Sequence, residues 1–175
     1  KRLTDDALMQ RACEMTMHGQ QSTISLSKLA QCEHSPLRCV IYWIEMEDLP
    51  TFVSTHFVRH KIGVEHFVQS MRDDLYVDPS FVADRNTPVR HGMLINAHAL
   101  IHMARKRLCY KAHRKAVAAF RHIVKQIKAA DPALAPFLVP ECVYRNGVCP
   151  ELKECKPGLN KVLKAYGRSD LIHKE

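Results

Sequence analysis

The apolar positions of this chain change period several times, and each change marks an element. Over 3–17 (LTDDALMQRACEMTM), Leu8, Ala12, Cys13 and Met15 to Met17 supply a stripe, and Thr4 stands where a cap belongs, so the spacing predicts a helix. A second short helix is predicted over 25–32 (SLSKLAQC), followed by a turn fixed by Pro36. Residues 39–48 (CVIYWIEMED) are rich in β-branched and aromatic types and predict a strand, buried on both faces at its centre. The next run, 49–60 (LPTFVSTHFVRH), reads as a helix with Pro50 near its first turn. Residues 63–72 (GVEHFVQSMR) read as a strand or as a loop leading into one. Residues 74–92, with Pro79, Pro88 and Gly92 and few apolar clusters, predict a loop.

From Met93 to about Lys128 the three- and four-residue recurrence is strong. Leu94, Ala97, Ile101, Ala104 and Leu108 form one stripe; Ala116, Val117, Phe120, Ile123, Val124 and Ile127 form another. A break at Cys109 to Lys111 divides them into two helices, and Pro132 and Pro136 close the helical part. The segment 138–160 predicts irregular, cysteine-rich structure. The domain division expected is therefore 1–137, with a cysteine-rich extension over 138–175 packed against it.

Charge narrows the class of partner. Lys plus Arg number 26 against 18 Asp plus Glu, a formal balance of +8, with 11 His besides. Such a balance favours anionic ligands: nucleotides, nucleic acid or a membrane surface. No run of five like charges occurs, which weakens the reading as a polybasic tail. No apolar run approaches the roughly 20 residues of a bilayer span, and no leader pattern is visible. Seven Cys, an odd number, among many His suit a reducing, cytoplasmic setting better than a disulfide scaffold.

The densest chemistry is in VRHKIGVEHFVQSMRDD, 58–74. Arg59, His60 and Lys61 stand together at a predicted helix end, where cations sit well beside unpaired carbonyls. Ser70 and Arg72 follow one element later. Arg meets phosphate with a planar fork, Lys with a point charge and Ser with a hydroxyl. The same residues also suit a solvated helix end and a polar strand face.

This segment resembles the signature of the flavin-dependent thymidylate synthases, which reads R-H-R, seven residues, Ser, and Arg two further on. Here eight residues intervene, the third position is Lys61, and the Asn-Glu pair usual inside the motif gives way to the vicinity of His66 and Phe67. SPLRCVIYWIEMEDLPTFVSTHFVRHK is similar to that family's turn, strand and helix ahead of the motif. His56 falls where the family has a nucleotide-touching Gln. NAHALIHMARKRLCYKAH is similar, without gaps, to the family's N-A-R-S-L-x-N-F-x-x-L-R-x-x-x-x-A-Q helix: Asn96 and Arg107 match, His98 replaces a flavin-contacting Arg and His102 an Asn. The resemblance spans roughly 30–130.

The resemblance implies an α+β fold, with a central, mostly antiparallel sheet flanked by long helices, in a homotetramer whose sites are shared between subunits. It implies transfer of a one-carbon unit from methylene-tetrahydrofolate to C5 of dUMP, with FAD as cofactor and NADPH as reductant. Arg107 would grip the base and stabilise developing negative charge; His56, Ser70 and Arg72 would join it in binding dUMP. Arg59, His60, Lys61, Asn96, His98 and His102 would face FAD. The departures at Lys61 and His98 also fit a related pyrimidine C5 hydroxymethylase with altered or lost flavin use, as in phage and bacterial relatives. A nucleotide-binding relative without turnover is a third form.

Two further constellations carry a different chemistry, and the second stands outside the resemblance. His98 and His102 share a helix face at a metal-binding spacing, but no H-E-x-x-H pattern accompanies them. Cys142, Cys149 and Cys155 recur as C-x6-C-x5-C, with turns between them, and Cys109 or His113 would complete a zinc set. A zinc-stabilised nucleic-acid-binding module using the basic stretch 105–115 is the competing class of function.

Overall fold

Asp5, rather than Thr4, starts the first helix. In the computed structural model, which describes residues 1–76, 78 and 80–172, the Asp5 carboxylate accepts from the Leu8 amide at 3.2 Å and caps α1 (Asp6–Thr16). Thr4 is drawn to the sheet instead: its hydroxyl donates to the Cys39 carbonyl at 2.8 Å and accepts from the Ile41 amide at 2.9 Å. The stripe of α1 is narrower than expected, because Met9 and Cys13 are buried while Leu8, Met15 and Met17 are exposed. Ser25 caps α2 (Leu26–Cys32), and Pro36 sits in a 3-10 turn, Ser35–Cys39. Both elements match expectation.

The strand over the aromatic run is β1 (Ile41–Pro50), but it is not buried on both faces. Tyr42 and Leu49 are buried, whereas Trp43 and Ile44 are half-buried and Glu45, Glu47 and Asp48 exposed. The reason lies in the sheet: β1 is an edge strand in the order β1-β3-β2, antiparallel throughout. β2 is Val64–Val68, so the strand-or-loop alternative falls to strand.

The central strand, β3 (Pro88–Asn96), corrects two expectations at once. Residues 88–92 are not loop, and 93–96 are not helix. Val89, His91, Met93 and Ile95 alternate inward with period two. Pro88, Arg90 and Gly92 broke up the apolar signal, and one inward position is a histidine. Met93 to Asn96 satisfy helical and strand spacing equally, and the pairing of Asn96 with Ile41 decides the matter. Pro79, expected in the same loop, lies outside the described residues.

α3 (Thr51–Phe57) begins after Pro50 and stops just short of the Arg59–Lys61 triplet. α4 (Ala97–Arg107) and α5 (Arg114–Ala130) are divided at the break expected near Cys109. The C-terminal segment is more regular than expected: it holds α6 (Glu141–Tyr144) and α7 (Lys156–Ala165). Pro157 and Gly158 open α7 rather than forming a turn, since the first helical turn tolerates a residue without an amide hydrogen.

The main core joins the inner sheet face to α1–α5, with Tyr42, Phe57, Met93, Leu100 and Phe120 fully buried. Tyr42 donates to Asp131 at 2.7 Å and Arg2 reaches the same carboxylate at 3.2 Å, tying the N-terminus to the end of α5. A second, small core around Val143, Val162 and Leu163 belongs to the C-terminal segment. The architecture is thus α+β, and among the described residues no helix is long and apolar enough to cross a membrane.

Candidate functional site

The loop after α3 runs along α4 and touches both of its ends. At one end the Gly63 carbonyl accepts from the Asn96 amide at 3.0 Å. Gly63 has φ +74°, and a Cβ there would meet Asn96 Nδ2 at 2.5 Å, so this close approach requires glycine. At the other end the Arg107 Nε–H donates to His60 Nε2 at 2.9 Å.

That last bond fixes the His60 ring as neutral, with its hydrogen on Nδ1. Burial, then the neighbouring charges of Arg107, His66 and Lys106, push its pKa down to about 4. Arg107 is held below the ordinary arginine range by burial first and by Arg59 second. His56 is lowered in the same way, by burial and then by Arg107, Arg59 and His113. Its ring stacks on His113 with centroids 6.1 Å apart, beside Phe52. Arg107 meets no carboxylate among the described residues, and its two Nη groups stay free to form a fork. A half-buried guanidinium facing a second cation is a demand for an anion.

Around the corner, Arg59, His60, Lys61, Ile62, His98, Ala99 and His102 line a cavity of about 540 Å³. Its wall mixes cations with apolar surface, since Ile62 is 92% exposed there. Asn96 is not free to serve it fully: its Oδ1 caps α4 by accepting from the Ala99 amide at 2.8 Å. Burial, then His102, lowers the proton affinity of His98. The His98 and His102 rings lie edge to face at 4.6 Å.

Ser70 and Arg72 do not join this group within one copy of the chain. The pairing Val64 with Ile95 puts the start of β2 beside α4, and Val68 with His91 carries its end away. Gln69 still pairs with Arg90, so Ser70 lies roughly 20 Å from Gly63 at strand rise. Arg72 is exposed there and makes a two-pronged ion pair with Asp74, at 2.9 and 2.7 Å.

Sequence reasoning missed a buried relay behind the loop. His66 Nε2–H donates to the His60 carbonyl at 2.7 Å. Its Nδ1 must then accept, so His91 Nε2–H donates to it at 2.9 Å. His91 Nδ1 in turn accepts from the Ser54 hydroxyl at 2.9 Å. One backbone carbonyl thus sets every tautomer in the chain. His91 is fully buried, and burial, then His66, pushes its pKa down to about 4. The relay anchors the segment that carries Arg59, His60 and Lys61 to the core. The only signal in the sequence was the period-two placement of His91 among Val89, Met93 and Ile95.

Glu33 was missed as well. It takes a left-handed conformation, φ 52°, after α2. Its carboxylate pairs with Arg105, and its ligating atoms lie within 4.8 Å of those of His98 and His102. Arg105 is buried and its guanidinium lies 3.5 Å from the Tyr144 ring centroid. Lys106 approaches Glu141 at 4.0 Å, and Lys111 donates to the Lys153 carbonyl. Of the basic stretch only Arg105 is buried; Lys106, Lys111, Arg114 and Lys115 are exposed.

Cys109, Cys142, Cys149 and Cys155 line one cavity, whereas His113 turns to the start of α5 and accepts from the Lys115 amide at 3.2 Å. Against known proteins, the chain matches no family model and no curated protein.

Proposed function

We propose that this chain is a flavin-dependent thymidylate synthase-like methyltransferase, moving a one-carbon unit from methylene-tetrahydrofolate to C5 of dUMP. The observation that supports the reading is the half-buried Arg107, clamped through Nε by His60 and facing Arg59, with no carboxylate paired to it among the described residues, beside the cavity that Arg59, His60 and Lys61 line. Arg107 is clamped through Nε, so the Nη edge is preorganised and loses little freedom on binding. Aimed at a uracil carbonyl, that edge stabilises the negative charge that develops as C5 becomes nucleophilic. His60, neutral, orients the guanidinium without competing for the anion.

The donor set of the cavity fits a phosphorylated, ring-bearing cofactor. Arg59 and Lys61 would hold phosphate, His98 and His102 would add ring donors, and Ile62 and Ala99 would offer apolar surface to a flat ring system. FAD bound there would supply the hydride, recharged by NADPH. His56, beside Arg107, would contact the nucleotide, and Asn96 would offer only its Nδ2. Ser70 and Arg72 would serve the dUMP phosphate from a neighbouring subunit of a homotetramer, because within one copy they face elsewhere.

Of the basic stretch, Arg105 is buried against Glu33 and Tyr144, while Lys106, Lys111, Arg114 and Lys115 stay exposed, so a nucleic-acid-binding module remains a competing reading, which a salt-steep affinity for oligonucleotides in a colourless protein would favour. A further alternative is a C5 hydroxymethylase on the same scaffold. Mass spectrometry of the product from dUMP and methylene-tetrahydrofolate, with the flavin content of the purified protein measured beside it, separates the two. A methylated product and a yellow protein are expected. A colourless protein that leaves dUMP unchanged would overturn the proposal.

A further inference from the structure

Four thiols from four places in the chain gather around one cavity that Arg107 also lines; no three of their sulfurs lie within 4.8 Å of one another, so a metal would draw them closer. Cys109 follows α4, Cys142 lies on α6, Cys149 in the loop after it and Cys155 at the start of α7. All four line one cavity of about 340 Å³, and none is in a disulfide. Each is half-buried. Asn146 at φ 52° and Gly147 at φ 91° reverse the chain so that Cys149 returns toward Cys142.

The surroundings suit a bound dication with thiolate ligands. Arg105, Lys106, Arg107 and Lys111 line the same cavity, against two carboxylates, Glu141 and Glu151. Burial pushes the Cys142 thiol up to about 11 and raises Cys155 as well, so it is the metal that displaces those protons, and the surrounding cations offset the charge that four thiolates would then carry. The segment draws little stability from a core of its own. Its own core is small, with Val143, Val162 and Leu163 buried, and Val148 and Leu152 between the cysteines are exposed. A segment with so little buried apolar surface needs a staple. The thiol set has the ligand number and type of a structural zinc site.

We propose that Cys109, Cys142, Cys149 and Cys155 bind one zinc ion, which fastens the C-terminal segment to the end of α4 that carries Arg107. Zinc displaces the thiol protons to solvent and nothing is oxidised. Tyr110 packs against Gly158, where a Cβ would lie 2.5 Å from the ring, so α7 already abuts the α4–α5 turn. The ion makes that contact permanent. Arg107 is two residues from Cys109, so the metal acts on the cationic site by positioning.

The test uses the full chain, purified under reducing conditions with no nucleotide or flavin added. Its metal readouts are therefore independent of the reading given to the cationic cavity. About one zinc per chain is expected, and cobalt in its place should give the intense visible bands of a tetrahedral thiolate site. Cys155→Ser should lose most of the metal, while Cys32→Ser, exposed and elsewhere, should keep it. Should Cys155→Ser fail to fold, chelation of the wild-type protein supplies the second measurement: faster proteolysis within 145–155 and a thermal midpoint lower by several degrees. Metal-free protein with four freely titrating thiols would overturn the proposal, as would a disulfide among them under these conditions. Zinc lost on His98→Ala but kept in Cys155→Ser would place the ion at Glu33, His98 and His102, and would also overturn it.

Discussion

Arg107 and Arg59 carry different burdens, and substitution separates them. On the proposed reading, Arg107→Ala removes the fork that would face the developing charge, so turnover should fall at least about a hundredfold, with flavin retention little changed. Arg59→Ala should instead lower flavin retention. Steady-state kinetics and the flavin absorbance of each variant check this, and intact turnover in Arg107→Ala would remove the base-polarising role. His91 gives a pH signature of its own. Its pKa is about 4 in the fold against 6.5 ordinarily. Above pH 6.5 neither state binds the proton, and the full stability is present. Between 6.5 and 4 only the unfolded state binds it, so stability falls as pH drops, by up to roughly 3 kcal/mol. Below 4 both states are protonated and this group adds no further slope. The groups facing His91 are His66 on β2 and Ser54 on α3. Urea titrations from pH 7 to 4.5 should show that loss, and His91→Phe should lessen the slope without abolishing it, because His60, also pushed down to about 4, titrates in the same window; equal slopes in both proteins would exclude His91 as a source.

At the scale of elements, the loop 58–63 and α4 form one unit through Gly63. Gly63→Ala strains a left-handed residue and pushes a Cβ into the Asn96 cap. The two costs together are about 2 kcal/mol, which lowers the thermal midpoint by about 4–8 °C; calorimetry measures it. Ligand affinity at the cavity should weaken as well, because Arg59 and Lys61 ride on the displaced loop. An unchanged midpoint would mean that the cap and the loop are not coupled. The same unit shows what the sequence could and could not reveal. α2, α3 and the split between α4 and α5 were legible because their apolar spacing is one-sided and their ends carry Pro or caps. β3 was illegible because a strand whose inward face includes a satisfied His91 does not look apolar. Arg59, His60 and Arg107 were legible as a set through motif spacing. Glu33 and the Ser54–His91–His66 relay were not, since they meet through tertiary packing and leave no period in the chain.

At the scale of the whole molecule, one copy offers half of the proposed site at each end of its sheet. His60 and Arg107 sit at the α4 end, and Ser70 and Arg72 beyond Gln69 at the other. The outer sheet face leaves Phe67 exposed against Trp43, with ring centroids 5.5 Å apart, and β2 is an edge strand, whereas the β1 edge is bonded at residues 41–43 by Lys1 to Leu3. A second copy that covers this face would account for both facts, since a symmetric assembly brings one end of a subunit to the other end of its neighbour. The consequence is sharp. Arg72→Ala and Arg107→Ala should each be inactive alone. Co-expressed with two different tags and purified through both, they should regain activity, approaching about a quarter of the wild-type value, because random pairing gives one intact site in four. If each site were built within a single copy, every site in the mixed assembly would carry one lesion and no activity would return. Recovery therefore distinguishes a shared site from a broken one without any ligand in view, and its absence, with mixed oligomers demonstrated, would remove Ser70 and Arg72 from the site.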